Sequence, residues 1–172
     1  MLSSIVPSSR FLIRMLLDPV NWGRARVIVE YGPGVGGITT EVLRRMRPDA
    51  TLIAIEINPE FVRYLGRTLS DPRVRVIEGS AASVEEIVRR FGFGHADYVI
   101  CGIPLTNLPQ DKRSALLRRT HDLLAPGGAF LVYQFSSRIS AELARVFGHV
   151  ERRFELRNFL PAHLFICQPI HG

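Results

Sequence analysis

Val27-Ile-Val-Glu-Tyr-Gly-Pro-Gly-Val-Gly-Gly-Ile-Thr-Thr40 is a short apolar run that passes through a glycine-rich turn into a segment with helical character. Gly32, Gly34 and Gly36 let the backbone turn tightly and approach a ligand where any Cβ would collide. Glu30 closes the run, where its carboxylate can accept a hydrogen bond from an ammonium group. The next apolar run ends in Glu56, about 20 residues further on, the position from which a carboxylate holds both hydroxyls of a ribose.

Outward from this stretch, strand-like runs alternate with amphipathic segments of helical length, the pattern of βαβ units and a parallel sheet. Strands are predicted at Arg26 to Tyr31, Thr51 to Glu56, Val74 to Glu78, Asp97 to Cys101 and Phe130 to Phe135. Helices are predicted at Gly37 to Met46, Pro59 to Leu69, Ser83 to Phe91 and Gln110 to Leu124. Arg47-Pro48-Asp49, Asp71-Pro72, Gly92 with Gly94, and Pro126-Gly127-Gly128 supply the closing turns. After a short helix near Ser140 to Phe147, Val150 to Asn158 and Ala162 to Gln168 read as an antiparallel hairpin around Pro161. The expected architecture is a single α/β domain over residues 1–172, a doubly wound seven-stranded sheet with its last strand antiparallel. Ligands in such sheets bind at the carboxyl ends of the strands.

A carboxylate two residues before the first glycine would repel a pyrophosphate and welcome an ammonium. Gly-Pro-Gly also differs from the Gly-x-Gly-x-x-Gly cradle of dinucleotide sites, so S-adenosylmethionine is favoured over a nicotinamide cofactor. With these residues in view, Val27 to Thr40 resembles motif I of class I S-adenosylmethionine-dependent methyltransferases, and Ala54-Ile-Glu-Ile-Asn58 resembles motif II. The likeness runs from Ile5 through Pro169 and implies a Rossmann-like fold. It implies a cofactor site of Glu30, Gly32, Gly34, Gly36, Glu56, Ile57, Gly79, Ser80, Ala81, Cys101 and Gly102, with Glu56 on the ribose and Ile57 on the adenine. Ser80 stands where the family usually has an aspartate for the adenine amino group, and it offers an uncharged acceptor instead.

Val99-Ile-Cys-Gly-Ile-Pro-Leu105 ends the fourth strand with neither the amide nor the aromatic ring that grips a planar nucleobase amine. Gly102-Ile103-Pro104-Leu105 resembles the Gly-Leu-Pro-Leu of bacterial phospholipid N-methyltransferases. Ile5-Val-Pro-Ser-Ser-Arg10, Tyr133-Gln-Phe-Ser136 and Asn158-Phe-Leu-Pro161 are similar to further segments of that subfamily. The resemblance implies an acceptor site at Ile103, Pro104, Tyr133 and Asn158, with phosphatidylethanolamine or a related amino lipid as the substrate. Two departures are Ser137, where a tyrosine often stands, and the few residues ahead of Pro7, which leave the subfamily's leading amphipathic helix missing or shortened. The alternatives are an RNA adenine methyltransferase and a non-catalytic cofactor-binding module.

Ser9 to Asp18 is apolar apart from Arg10 and Arg14, which form one ridge at i,i+4 spacing. Residues 1–22 therefore read as a lid over the cofactor or as a contact with a bilayer. Net charge is +6 and the isoelectric point about 10.1, a balance that suits an anionic partner, a phospholipid surface ahead of nucleic acid. Only Lys112 among the basic residues is lysine, and the arginine pairs are dispersed, as on solvated faces. No apolar run is long enough to span a bilayer, and a cytoplasmic protein is expected, peripheral on the inner membrane face at most. Cys101 and Cys167 read as buried thiols. His95, His121, His149, His163 and His171 lack metal-ligand spacing, so no metal is expected. Tyr31, Tyr133 and His163 all stand where strand ends could meet an amine. Trp22 reads as an anchor for the first helix.

Overall fold

A computed structural model describes residues 8–170 of the chain. The Ile5-Val6-Pro7 part of the leading motif and His171 lie outside the described residues. Seven strands form one sheet in the order β3-β2-β1-β4-β5-β7-β6: β1 Val27–Tyr31, β2 Thr51–Glu56, β3 Val74–Glu78, β4 Ala96–Cys101, β5 Leu124–Gln134, β6 Gly148–Glu155 and β7 Ala162–Pro169. β1 to β5 pair in parallel, whereas β7 runs antiparallel to both β5 and β6. The doubly wound sheet with an antiparallel last strand is the architecture the sequence predicts. β1 is buried along its whole length, as a central strand covered on both faces must be, and Glu30 is the charged exception.

Among the described residues six helices cover the sheet: α1 Arg10–Leu17, α2 Gly37–Arg45, α3 Pro59–Thr68, α4 Val84–Arg90, α5 Gln110–Leu123 and α6 Ser140–Phe147. One core layer joins Val29, Tyr31, Val99 and Phe130 to Val88 of α4, Leu117 of α5 and Phe147 of α6. Phe130 stacks on Phe147 with centroids 5.5 Å apart. On the opposite face, Ile28, Ile100 and Leu131 pack under Leu12, Leu16 and Leu17 of α1 and Val42 of α2, with Trp22 partly buried against them. The apolar face of α1 therefore closes the sheet, and Trp22 anchors its connection to β1.

Local chemistry fixes the element ends. Ser9 caps α1 by accepting from Leu12 N at 3.1 Å, and Asn58 caps α3 by accepting from Glu60 N at 2.9 Å, with Pro59 in the first helical position. Asp97 Oδ2 accepts from Arg26 N and Val27 N, pinning the start of β1 to β4. Pro126-Gly127-Gly128, expected as a closing turn, is instead an irregularity inside β5, where the register on β4 shifts between Ala96↔Leu124 and Tyr98↔Ala129. Gly127 has φ +79°, and a Cβ on Gly128 would lie 2.6 Å from Asp97 O, so both glycines are required there.

Candidate cofactor and acceptor site

Because β1 to β4 are parallel, their carboxyl ends reach one edge of the sheet together. Glu30 and the glycine turn follow β1, Glu56 and Ile57 follow β2, Gly79 to Ala81 follow β3, and Gly102 to Pro104 follow β4. Gly32, Gly34 and Gly36 have φ of +68°, +57° and +85°, a left-handed conformation that side chains rarely adopt. A Cβ on Gly36 would also meet Leu65 Cδ2 at 2.8 Å.

The two carboxylates differ in setting. Glu56, 6% exposed, accepts from Gly34 N at 3.1 Å through Oε2 and from Asn58 N at 2.9 Å through Oε1, so it braces the glycine turn. A carboxylate can accept about four hydrogen bonds, so capacity is left for ribose hydroxyls. Glu30, 1% exposed, accepts from Thr39 Oγ1 at 2.6 Å. Burial pushes its carboxyl up to about 7; the Thr39 bond opposes that rise and the nearby Glu56 adds to it. Ile57 is 73% exposed beside them, an uncovered apolar platform of the kind an adenine ring covers. A buried carboxylate with no ion pair among the described residues, a second carboxylate braced by amides, and a Cβ-free turn between them fit S-adenosylmethionine. The two acidic groups would hold its ammonium and its ribose.

Other members of the expected site are occupied differently. Ser80 is exposed and caps a short 3-10 turn, Ala81–Ser83, by accepting from Ala82 N at 3.1 Å. Ala81 is buried, and Gly79 N donates to Glu56 O at 2.9 Å. The Cys101 side chain is buried in the α4–α5 core layer, its thiol pushed up to about 12, so only its backbone belongs to the edge. Gly102 N donates to Tyr31 O at 2.8 Å, and a Cβ on Gly102 would lie 2.8 Å from Gly32 O. The loops after β1 and β4 thus touch where Gly102 has no side chain to hold them apart.

Gln134, to which the sequence assigns no role, locks the loop after β4. Its Oε1 accepts from Leu105 N at 3.1 Å, and its Nε2 donates to Ile103 O at 2.9 Å and to Tyr133 O at 2.8 Å. The signal available was a glutamine ending an otherwise apolar strand. Half-buried Ile103 and exposed Pro104 are presented by that loop, and Ile103 packs against Gly32.

Of the three aromatic candidates, Tyr133 alone shares the face of Glu30. Its hydroxyl lies 3.6 Å from the place of a Gly102 Cβ; burial chiefly raises its pKa, with the Ser8 side chain opposing the rise and Cys101 and Glu30 adding to it, so it stays protonated. Tyr31 points the other way and shares a 3.0 Å hydrogen bond with Thr120 of α5. His163, opposite Gln134 in the β5–β7 register, lies across the sheet between Phe154 and Phe165, with Nδ1 buried and unpartnered among the described residues. Asn158 spends its amide within the chain, Oδ1 accepting from Ser9 N at 2.8 Å and Nδ2 donating to Leu160 O at 2.8 Å. It therefore positions α1 against the β6–β7 turn.

The sheet order, the glycine turn and the paired carboxylates define a class I S-adenosylmethionine-dependent methyltransferase. A family profile described as a methyltransferase domain matches residues 28–128, and the chain belongs to that family of enzymes. It is 33% identical over 177 residues to an ornithine lipid N-methyltransferase of Singulisphaera acidiphila, an alignment spanning 98% of this chain and 89% of that one. Among solved structures it resembles a precorrin-6Y C5,15-methyltransferase of Geobacter metallireducens, with TM-score 0.76 and 12% identity over 98% of this chain and 93% of that one. It also resembles human N-acetylserotonin methyltransferase in complex with S-adenosylmethionine, with TM-score 0.64 and 16% identity over 92% and 52% of the two chains. These structural likenesses concern the fold.

Proposed function

We propose that the chain transfers methyl groups from S-adenosylmethionine to the amine of an amino lipid, phosphatidylethanolamine or an ornithine lipid. The observation that carries this reading is the wall beside the donor, made by Gly102 and Ile103 and locked by Gln134. A lipid amine is not planar and has no π-face to grip, so a small apolar wall suffices. A nucleobase amine calls for an amide and a ring at that position. The similarity to an ornithine lipid N-methyltransferase supports the same acceptor class.

When bound, S-adenosylmethionine supplies an electrophilic methyl group on a sulfonium. Glu30 would hold its ammonium and Glu56 its ribose, which fixes where that methyl points. Gly102, having no side chain, would leave room beside the donor for the attacking nitrogen. The Tyr133 hydroxyl, kept neutral by burial, accepts an amine N–H and turns the nitrogen lone pair toward the donor. An amine must be neutral to attack, and with Tyr133 already protonated its proton leaves to solvent. The nitrogen would gain the methyl, with the bonding pair left on sulfur.

Radiolabelled donor offered to phosphatidylethanolamine vesicles, ornithine lipid vesicles and ribosomal RNA tests the reading. Label is expected in the lipid amines. Label in RNA with none in either lipid would overturn the lipid assignment.

A further inference from the structure

The turn joining β6 to β7 ends in an apolar crest. Phe159 is 81% exposed, Leu156 69% and Leu160 42%. Beneath the crest the turn is firmly held. Asn158 is tied to Ser9 and Leu160, and buried Glu155 accepts from the Arg157 backbone at 2.7 Å and from its guanidinium at 2.8 Å. Since β6 is antiparallel to β7, and β7 to β5, β6 runs with the parallel strands. The crest therefore lies at the same edge of the sheet as the glycine turn.

Cationic groups flank it. The Arg157 guanidinium lies over the Phe11 ring at 4.5 Å, and that of Arg10 lies over the same ring at 5.0 Å. Arg10 and Arg14 also line a cleft of about 720 Å³ between α1 and α2, together with Thr40, Glu41 and Arg44. Both are exposed, and neither pairs with a carboxylate among the described residues. Exposed apolar side chains with unpaired arginines on the adjoining helix match an anionic bilayer, with phosphates outside and acyl chains about 5 to 10 Å deeper. A second copy of this chain suits the crest poorly, because the docking faces would bring like charges together.

We propose that the β6–β7 turn is a membrane-docking edge. Leu156, Phe159 and Leu160 enter the acyl boundary, Arg10 and Arg14 meet lipid phosphates, and the carboxyl edge of the sheet faces the bilayer. The amino-lipid reading gives this edge its purpose, since docking there brings the cofactor site to an acceptor that never leaves the membrane.

Vesicle sedimentation of the full chain tests it, using phosphatidylglycerol with phosphatidylethanolamine against phosphatidylcholine alone. Phe159→Ser with Leu156→Ser is expected to weaken binding to the anionic vesicles at least about tenfold, the scale of withdrawing one large apolar side chain from lipid. Arg10→Gln with Arg14→Gln is expected to flatten the salt dependence of binding. Melting temperature and S-adenosylmethionine affinity of the serine variant should match wild type, which separates lost docking from lost folding. Unchanged vesicle binding by the serine variant overturns the proposal, as does a serine variant that only dissolves a dimer seen in sedimentation velocity. Crest-dependent docking without methylation of any amino lipid upholds the edge and removes the amino-lipid reading. Methylation of vesicle lipid by a serine variant that docks like wild type does the reverse.

Discussion

Thr39, in the first turn of α2, donates its hydroxyl to Glu30 at the end of β1 across 2.6 Å. A neutral hydroxyl only partly offsets the desolvation of a carboxylate, and for that reason Glu30 titrates near 7 and not in the usual carboxylate range. Holding an ammonium needs the charged form. Donor affinity is therefore expected to be full above about pH 7 and to fall as pH drops below it, by up to about tenfold per unit. Calorimetry across that range should show the fall and the accompanying proton release. A flat profile in wild type would remove Glu30 from the ammonium.

The same shift predicts a conflict between stability and binding. Folding raises the Glu30 pKa from 4.5 to about 7, so its stabilising contribution is fully present below about 4.5 and lost as pH rises through about 7. Glu30→Gln keeps the shape and removes the charge. At pH near 8 the unliganded variant should be more stable than wild type, by up to about 3 kcal/mol if the whole shift is expressed. Its donor affinity should be weaker by about 1.5 to 3 kcal/mol, the range for a hydrogen bond to a charged group. Denaturant titration with calorimetry checks both signs, and a variant less stable than wild type at that pH contradicts the account.

Gly102 and Gly34 separate collision from conformation. Gly102→Ala would press a methyl group 2.8 Å from Gly32 O and 3.2 Å from Tyr31 O, both backbone atoms. It should lower stability by about 1 to 3 kcal/mol and displace the glycine turn, so that donor binding is lost as well. At Gly34 a Cβ meets nothing within 4 Å, but φ is +57°. Gly34→Ala should show the left-handed penalty alone, about 1 to 2 kcal/mol. Equal donor affinity in Gly102→Ala and wild type would mean that the two loops do not shape the site together.

Gln134→Leu keeps the bulk and removes the lock on the loop after β4. Leu105 N and Ile103 O lose their side-chain partner, at about 1 to 3 kcal/mol per buried group left unpaired. Because Glu30 and Glu56 are untouched, donor affinity should hold while the methyl transfer rate falls. Steady-state kinetics with donor and acceptor varied separately reads this. A rise in donor KM with kcat unchanged would assign Gln134 to the wrong half of the site.

That Glu30, Glu56 and the three glycines meet at one edge was legible because parallel strands deliver their carboxyl ends there whatever the details of packing. The hairpin around Pro161 was legible from its alternation and turn chemistry. Pro126-Gly127-Gly128 misled because proline and glycine serve a closing turn and a strand irregularity alike, and the choice rests on how β5 registers with β4. The choice among Tyr31, Tyr133 and His163 needed to know which helices cover which face, and α1 lies over that of Tyr133. The role of Gln134 depends on a loop 31 residues earlier in the chain, and Asn158 meets Ser9 across 149 residues. Local pattern carries neither separation.

The place of β7 also bears on the order in which the sheet is built. β6 precedes β7 in the chain, yet its sheet neighbour is β7, which itself fills the gap beside β5. As the polypeptide emerges, β6 must wait as an unpaired ribbon while the five parallel strands are already available to assemble. One late insertion then satisfies both of its flanks, and the Asn158 bond to Ser9 can form only with it. The far third of the sheet is thus a single closing step. In hydrogen exchange, the amides of β6 and those binding β7 to β5 should open together, and before those of β1.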